Sequence, residues 1–264
     1  MDKVTSASIQ QKKGQPISAL TAYDYPFAKI IDEAGIDIIL VGDSVGVVVA
    51  GKENTLQVTM DQMIYHTRMV SRAVKRALVV GDMPFLSYQP SVEETIRNAG
   101  RFLKEGGAEA VKLEGGATIT DRIFALTKYD IPVMAHIGLT PQSIHRMGGY
   151  KVQGRSAKQA QSLLNDAKEV ESAGAFAVIL EGIPIGLAQE ITETVSIPTI
   201  GIGAGPYCDG QILVLHDLLG LSTSFYPKFV RRYADLTAIT QDAVRQFQSD
   251  IAEGKFPTPE EGYE

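Results

Sequence analysis

Residues 36–46, IDIILVGDSVG, decide the fold. The branched apolar run over 36–41 is a strand covered on both faces, and it stops at Gly42 with Asp43 and Ser44 beyond it. The pattern returns at 77–84, ALVVGDMP, with Asp82 at the strand's end. Parallel α/β architectures collect the C-terminal ends of their strands on one rim, so Asp43 and Asp82 are expected to meet there. A single Asp at such a position caps the following turn. A recurring pair points instead to a hard divalent cation.

Working outward, 17–23 is a first strand with Tyr23 and Asp24 at its exit, and Pro26 opens a helix that ends at Gly35. Thr59 with Gln62, Ser91 with Glu94 and Ser156 with Gln159 have capping-box spacing and start three more helices. The first of these carries His66, whose place on a helix marks it as structural. The fourth strand, 108–113, presents Lys112 and, just beyond it, Glu114 on one face, because strand side chains alternate with period two. The fifth, 131–137, contains His136. The sixth, 175–180, is closed by Glu181. The seventh, 197–202, runs into GIGAG, and a weaker eighth covers 211–215. Between the fifth strand and the next helix lies GLTPQSIHRMGGYKVQGR, long enough and irregular enough to be a lid or binding loop.

Eight strands alternating with helices predict a closed (β/α)₈ TIM barrel, an α/β fold formed as one domain over 1–264. A short N-terminal helical segment precedes it and a C-terminal helical extension over 231–253 follows. An open doubly wound sheet fits less well, since no glycine-rich loop follows the first strand and polar residues end nearly every strand.

With 44% hydrophobic and 21% charged residues, the chain has the composition of a soluble globular protein. Its net charge of −6 comes without a basic block, which argues against a nucleic-acid partner. No stretch has the apolar length of a membrane span or of a signal core, so a cytoplasmic protein is expected. The single cysteine, Cys208, rules out an intrachain disulfide and is expected to be inert packing.

On a barrel, one rim gathers Asp24, Asp43, Ser44, Asp82, Lys112, Glu114, His136 and Glu181. Asp43, Asp82 and Glu114 would repel one another there unless a cation or Lys112 offset their charge, and magnesium is the natural ion for oxygen ligands. Lys112 among carboxylates stays protonated, suited to pairing a substrate anion or bridging internally to Glu114 or Asp82. Glu181 ends the apolar strand FAVILE, where desolvation raises its affinity for a proton, as suits a general base; it is also placed to start the next helix. His136 is expected either to bind a ligand oxygen or to pack as a core histidine. GIGAG, 201–205, has the composition of an anion-cradling turn, but tight packing at the rim is the favoured reading.

The segments TAYDYPFAK, LVGDSVG, GDMPF, VKLEGG, HIGLTPQS, GGYKVQGR, GIGAGPYCDGQILVLHD and PKF, in this order, resemble the ketopantoate hydroxymethyltransferase family. That resemblance implies a (β/α)₈ barrel transferase that moves a hydroxymethyl group from 5,10-methylenetetrahydrofolate to 3-methyl-2-oxobutanoate, giving 2-dehydropantoate. It implies Mg²⁺ as cofactor and a homo-oligomer, often a decamer. Matched position by position, Asp43, Asp82 and Glu114 fall on metal-associated carboxylates. Ser44 and Lys112 fall on substrate-binding positions, joining Asp43, Asp82 and His136 as expected substrate contacts, and Glu181 falls on the catalytic proton acceptor. An alternative chemistry on a similar barrel, a magnesium-dependent lyase or mutase of another 2-oxo acid, calls for a reactive cysteine or further acid in a rim loop. A non-catalytic barrel that binds a small acid is the alternative of a different class.

Overall fold

The computed structural model describes residues 2–221 and 226–263. The chain forms two compact units, Met1–Val214 and Leu215–Glu264. In the first, strands β1 (Ile17–Thr21), β2 (Ile38–Val41), β3 (Leu78–Asp82), β4 (Ala110–Glu114), β5 (Val133–Gly138), β6 (Ala177–Glu181), β7 (Thr199–Ile202) and β8 (Gly210–Leu213) follow chain order around a closed barrel. Every neighbouring pair is parallel, and β8 closes onto β1 with Ile17 opposite Gly210. This is the (β/α)₈ barrel that the strand-helix alternation predicts. Around it run α1 (Ser6–Gln10), α2 (Tyr25–Glu33), α3 (Val45–Val48), α4 (Met60–Ala73), α5 (Val92–Arg101), α6 (Thr120–Lys128), α7 (Ile144–Met147), α8 (Ala157–Ser172) and α9 (Ile185–Thr194).

Two of the three predicted capping boxes form in full and the third in half. Thr59 and Ser156 make reciprocal boxes with Gln62 and Gln159, and Ser91 accepts from the Glu94 N–H. Strands β2 to β7 start one or two residues later than their apolar runs suggest, because the first residues of a run still belong to the turn that enters the barrel, whereas β1 starts at Ile17 as expected and β8 one residue early, at Gly210. Asp37 shows this: its N–H donates to the Ser18 carbonyl (3.1 Å), and its Oδ2 accepts from the Ser18 N–H (3.0 Å). The connection after β5 is more regular than expected. A 3₁₀ turn, Pro141–Ser143, leads into α7, which Gly148 ends in a left-handed conformation (φ 65°).

Residues facing the barrel axis form one core, closed at the N-terminal end by Val4 and Ile9, which are 8% and 0% exposed. Along β3 the inward series is Leu78 and Val80, along β4 Ala110, along β5 Met134, along β6 Ala177 and Ile179. Continued by steps of two, these series reach Asp82, Lys112, Glu114, His136 and Glu181 at the C-terminal mouth. A single alternation therefore makes both the greasy interior and the polar cup above it.

Close packing supports that cup. Gly81 lies under the ring of Phe102, and a Cβ at this glycine would sit 2.2 Å from the ring. Phe102 is fully buried and unable to step aside. Gly81→Ala is expected to cost about 1–3 kcal/mol through overpacking. A melting temperature equal to that of the parent chain would contradict it.

At the opposite end, Asp32 pins the turn that enters β3. Its carboxylate accepts from the backbone N–H of Lys75 (2.8 Å), Arg76 (3.1 Å) and Ala77 (2.7 Å). Burial works against its charge, but these three bonds outweigh it and hold the carboxyl below its usual range. A depressed acid contributes stability above its unfolded pKa, and that contribution is lost as pH falls through the folded value. Asp32→Asn is expected to lower stability at neutral pH by about 1–3 kcal/mol. It should also flatten the loss of stability below about pH 4. Denaturant melts of both chains at neutral and acid pH provide the check.

In the second unit, α10 (Leu215–Leu218) precedes α11 (Leu236–Ala252), which is shorter than the expected helical stretch because Asp235 caps it through the Ala238 N–H (3.1 Å). The Leu236 and Tyr233 N–H groups bond to the carbonyls of Leu219 and Leu218. No described helix is long and apolar enough to cross a membrane.

Candidate active site

The barrel mouth brings together Asp43, Asp82, Lys112, Glu114, His136 and Glu181. Sheet register sets Asp82 beside Lys112, Glu114 beside His136, and Gly138 beside Glu181, so the inward side chains of β3, β4, β5 and β6 converge. Asp43 arrives differently. It lies beyond β2, after Gly42, and its own N–H donates to Asp82 Oδ2 (3.1 Å). Asp43, Asp82, Lys112, Glu114 and His136 are all buried, while the Glu181 side chain keeps 15% of its surface.

Lys112 is the electrostatic centre. Its Nζ donates to Glu114 Oε1 (2.9 Å) and to Asp82 Oδ2 (3.2 Å). Burial pulls its pKa down, but the carboxylates of Asp82, Glu114 and Asp43 outweigh burial and keep it well above the usual lysine value. That environment favours the ammonium form over the neutral amine a Schiff base needs. Burial likewise opposes the Glu114 charge, and Lys112, then His136, hold that carboxyl down at about 2. Asp43 is the opposite case: burial and the adjacent Asp82 charge raise it well above the carboxylate range. Burial also raises Asp82, with Lys112 offsetting part of the effect.

His136 stands between two acids. Nε2 lies 3.2 Å from Glu181 Oε2 and Nδ1 lies 3.6 Å from Glu114 Oε1. Burial and the Lys112 charge disfavour its proton, and Glu114 and Glu181 more than offset both, so its pKa is raised. The attraction is electrostatic, for among the described residues neither ring nitrogen has an aligned hydrogen-bond partner.

Other expected rim residues fall elsewhere. Asp24 is the N-cap of α2, its Oδ1 accepting from the Phe27 N–H (2.9 Å), which is the simple helix-starting role. Ser44 sits next to Asp43 with its Oγ 2.8 Å from the Tyr23 hydroxyl. His66 is structural, its Nδ1 lying 2.7 Å from the Tyr23 carbonyl. GIGAG is a packing device: Gly203 and Gly205 take positive φ of 62° and 84°, and a Cβ at Gly205 would approach Ile185 to 2.7 Å. Cys208 packs against Gly201, and burial raises its thiol, which disfavours the thiolate.

Two buried residues gave no sign of themselves in the sequence. Gln142, in the turn before α7, donates its Nε2 to Asp43 Oδ2 (3.0 Å) and to the Met83 carbonyl (2.9 Å), and its N–H to Glu114 Oε2 (3.0 Å). The Tyr88 hydroxyl lies 2.8 Å from Gln142 Oε1 and accepts from the Glu114 N–H (3.1 Å). A glutamine in a loop carries no periodic signal; only its place within HIGLTPQS marks it.

The donor chemistry fits a hard divalent cation at Asp43 and Asp82. Both carboxylates are buried, the Asp43 N–H reaches Asp82 Oδ2, and each charge is disfavoured. Asp82 Oδ1 is buried without an aligned hydrogen bond although the Lys112 ammonium is 3.1 Å away. Glu114 is less available, because Lys112 and the Gln142 N–H occupy its two oxygens. Among the described residues no group of three or more His, Cys, Asp and Glu side chains is arranged to hold a metal.

Fold and site together define a (β/α)₈-barrel enzyme class with an acid-rich mouth. Similarity to solved structures supports the fold: phosphonopyruvate hydrolase in complex with oxalate and Mg²⁺ superposes with a TM-score of 0.63 at 13% identity, over 98% of this chain and 93% of that one. So does 2,3-dimethylmalate lyase, a member of the PEP mutase/isocitrate lyase superfamily, with a TM-score of 0.63 at 18% identity, over 97% and 93%. The model of the ketopantoate hydroxymethyltransferase family matches residues 3–259, and the chain belongs to that family. Proteins named 3-methyl-2-oxobutanoate hydroxymethyltransferase are similar to it along nearly their whole length. The Geobacter metallireducens protein is 62% identical over 97% of this chain and 96% of its own, and that of Geobacter sulfurreducens 64% over 96% and 96%. The chain is thus a hydroxymethyltransferase of the ketopantoate family.

Proposed function

We propose that the enzyme transfers the one-carbon unit of 5,10-methylenetetrahydrofolate to C3 of 3-methyl-2-oxobutanoate, with water completing the hydroxymethyl group of 2-dehydropantoate. The observation that carries this reading is the paired, charge-disfavoured Asp43 and Asp82 facing Glu181 across one buried cup. Asp43 and Asp82 would hold Mg²⁺ directly, with Glu114 a carboxylate associated with it less closely. Bound there, the ion supplies Lewis-acid polarisation of the keto oxygen, which acidifies the C3 proton.

The remaining work belongs to the chain's own groups. Lys112 uses two of its three N–H donors on Asp82 and Glu114, which leaves the third for the substrate carboxylate. Ser44, beside Asp43, and the imidazole of His136 would bind substrate oxygens. Glu181 Oε2, at the edge of the cup, accepts the C3 proton, and His136 beside it holds that carboxylate in place. The carbanionic C3 then forms the new bond to the methylene carbon as that carbon's bond to N10 breaks and N10 takes up a proton; water afterwards replaces N5 on the same carbon, leaving the hydroxymethyl group and releasing tetrahydrofolate. Burial of the cup excludes water from this step.

Exchange of the C3 proton of 3-methyl-2-oxobutanoate into deuterated water tests the reading. Exchange should require magnesium and proceed without folate, and product should form only when folate is added. No exchange under any of these conditions would overturn the assignment. A homo-oligomer and a cytoplasmic setting, both implied by the family, complete the proposal; a monomer in sedimentation at micromolar concentration would contradict the first.

A further inference from the structure

Beside the acidic mouth lies a basic hollow that the chemistry above does not use. It is a cavity of about 380 Å³ lined by Arg146, Met147, Lys151, Val152, Gln153 and Gln159. Arg146 also borders a second cavity of about 210 Å³, whose walls include Glu114 and Gln142 of the catalytic cup. The segment is tied to the end of β6, for the Gln153 N–H donates to the carbonyl of Gly182, the neighbour of Glu181 (2.9 Å). Tyr150, between the two cations in the chain, senses the cup as well: burial and then the charges of Glu181, Asp43 and Glu114 push its phenol up.

Among the described residues neither Arg146 nor Lys151 makes a salt bridge, so both charges are open to a ligand in the hollow they line. Two unpaired cations at one concavity, beside a carboxylate-lined mouth, make a polarised site. A ligand spanning both would place an uncharged reacting end at the mouth and an anionic tail in the hollow. A reduced folate has this form, its one-carbon end being uncharged and its glutamate tail bearing two carboxylates.

We infer that the hollow between α7 and the segment 148–153 binds the glutamate carboxylates of the folate co-substrate through Arg146 and Lys151. The inference rests on the folate-dependent reading above and deepens it. Arg146 offers a planar fork to one carboxylate and Lys151 a point charge to the other. Because both side chains are largely solvent-exposed, their contribution falls as salt rises.

The test compares two donors, 5,10-methylenetetrahydrofolate and 5,10-methylenetetrahydropteroate, which carries the same one-carbon unit and no glutamate. The parent enzyme is expected to favour the folate in kcat/KM by about tenfold or more, through KM. In the double variant Arg146→Ala/Lys151→Ala that preference should disappear, and Lys151→Glu should reverse part of it. A parent enzyme indifferent to the glutamate, or a double variant that keeps the preference, would overturn the inference. Folate-free C3 proton exchange separates the causes: if the double variant loses exchange together with preference, the two cations serve the catalytic cup and the inference is wrong. If the parent enzyme forms product from neither donor, the folate-dependent reading itself fails, and the tail site fails with it.

Discussion

Glu181→Gln is expected to bind magnesium and the 2-oxo acid nearly as the parent enzyme does, while C3 proton exchange and product formation fall together by about two orders of magnitude or more. The amide keeps the size of the side chain and part of its hydrogen bonding but lacks a basic oxygen pair. Glu181 lies outside the Lys112-centred network, its close neighbour being His136 at 3.2 Å, so the substitution leaves the Asp82–Lys112–Glu114 ion pairs intact. Binding by calorimetry and exchange by NMR give the two readings. Exchange at the parent rate would remove Glu181 from the role of base. Loss of 2-oxo acid binding, or unfolding, would assign it a structural role instead.

The second large effect concerns the carboxylate pair. Asp43→Asn and Asp82→Asn should each abolish magnesium-dependent binding of the 2-oxo acid, since a neutral amide is a poor ligand for a hard cation and one carboxylate alone holds it weakly. They should differ in stability. Asp43 is raised by burial and by the charge of Asp82, Lys112 offsets this only in part and no described cation forms an ion pair with it, so Asn at this position relieves repulsion and should leave the metal-free melting temperature unchanged or higher. Asp82 is bound to Lys112 on one side and to the Asp43 N–H on the other, so Asn there leaves the buried ammonium under-compensated and should lower it. Thermal melts with and without magnesium, beside titration of the 2-oxo acid, provide the check. Retained magnesium-dependent binding in both variants would remove the pair from the metal site.

The contrast between these two aspartates follows from how each reaches the mouth. Asp82, Lys112, Glu114, His136 and Glu181 stand in phase with inward-facing apolar residues of their own strands. Once a stretch is recognised as a barrel strand, the period-two rule sends those side chains into the cup. Asp43 is out of phase with Ile38 and Leu40 and enters through the turn at Gly42. Only the closed barrel shows that this turn delivers its N–H to Asp82. Asp24 ends a strand in the same manner, yet the helix starting one residue later takes up its carboxylate as a cap. Local sequence leaves the two outcomes open, because a strand-end aspartate satisfies either the next helix or a neighbour across the rim.

Taken alone, the sequence determined the order and kind of the elements, the barrel they build, and the strand-borne ionisable groups at its mouth, since apolar periodicity and capping act over a few residues. The tertiary structure decided which of those groups pair. It placed Lys112 between Asp82 and Glu114, left Asp43 with its charge unfavoured, and gave both Glu114 oxygens to partners. It also brought in Gln142 from a loop to bond Asp43 and Glu114 together, and set Arg146 and Lys151 at one hollow with no salt bridge to a described residue. Pairings of this kind depend on distances of about 3 Å between segments far apart in the chain, and hydrogen bonds and buried charges are decided at that range, where no periodic pattern in the sequence reaches.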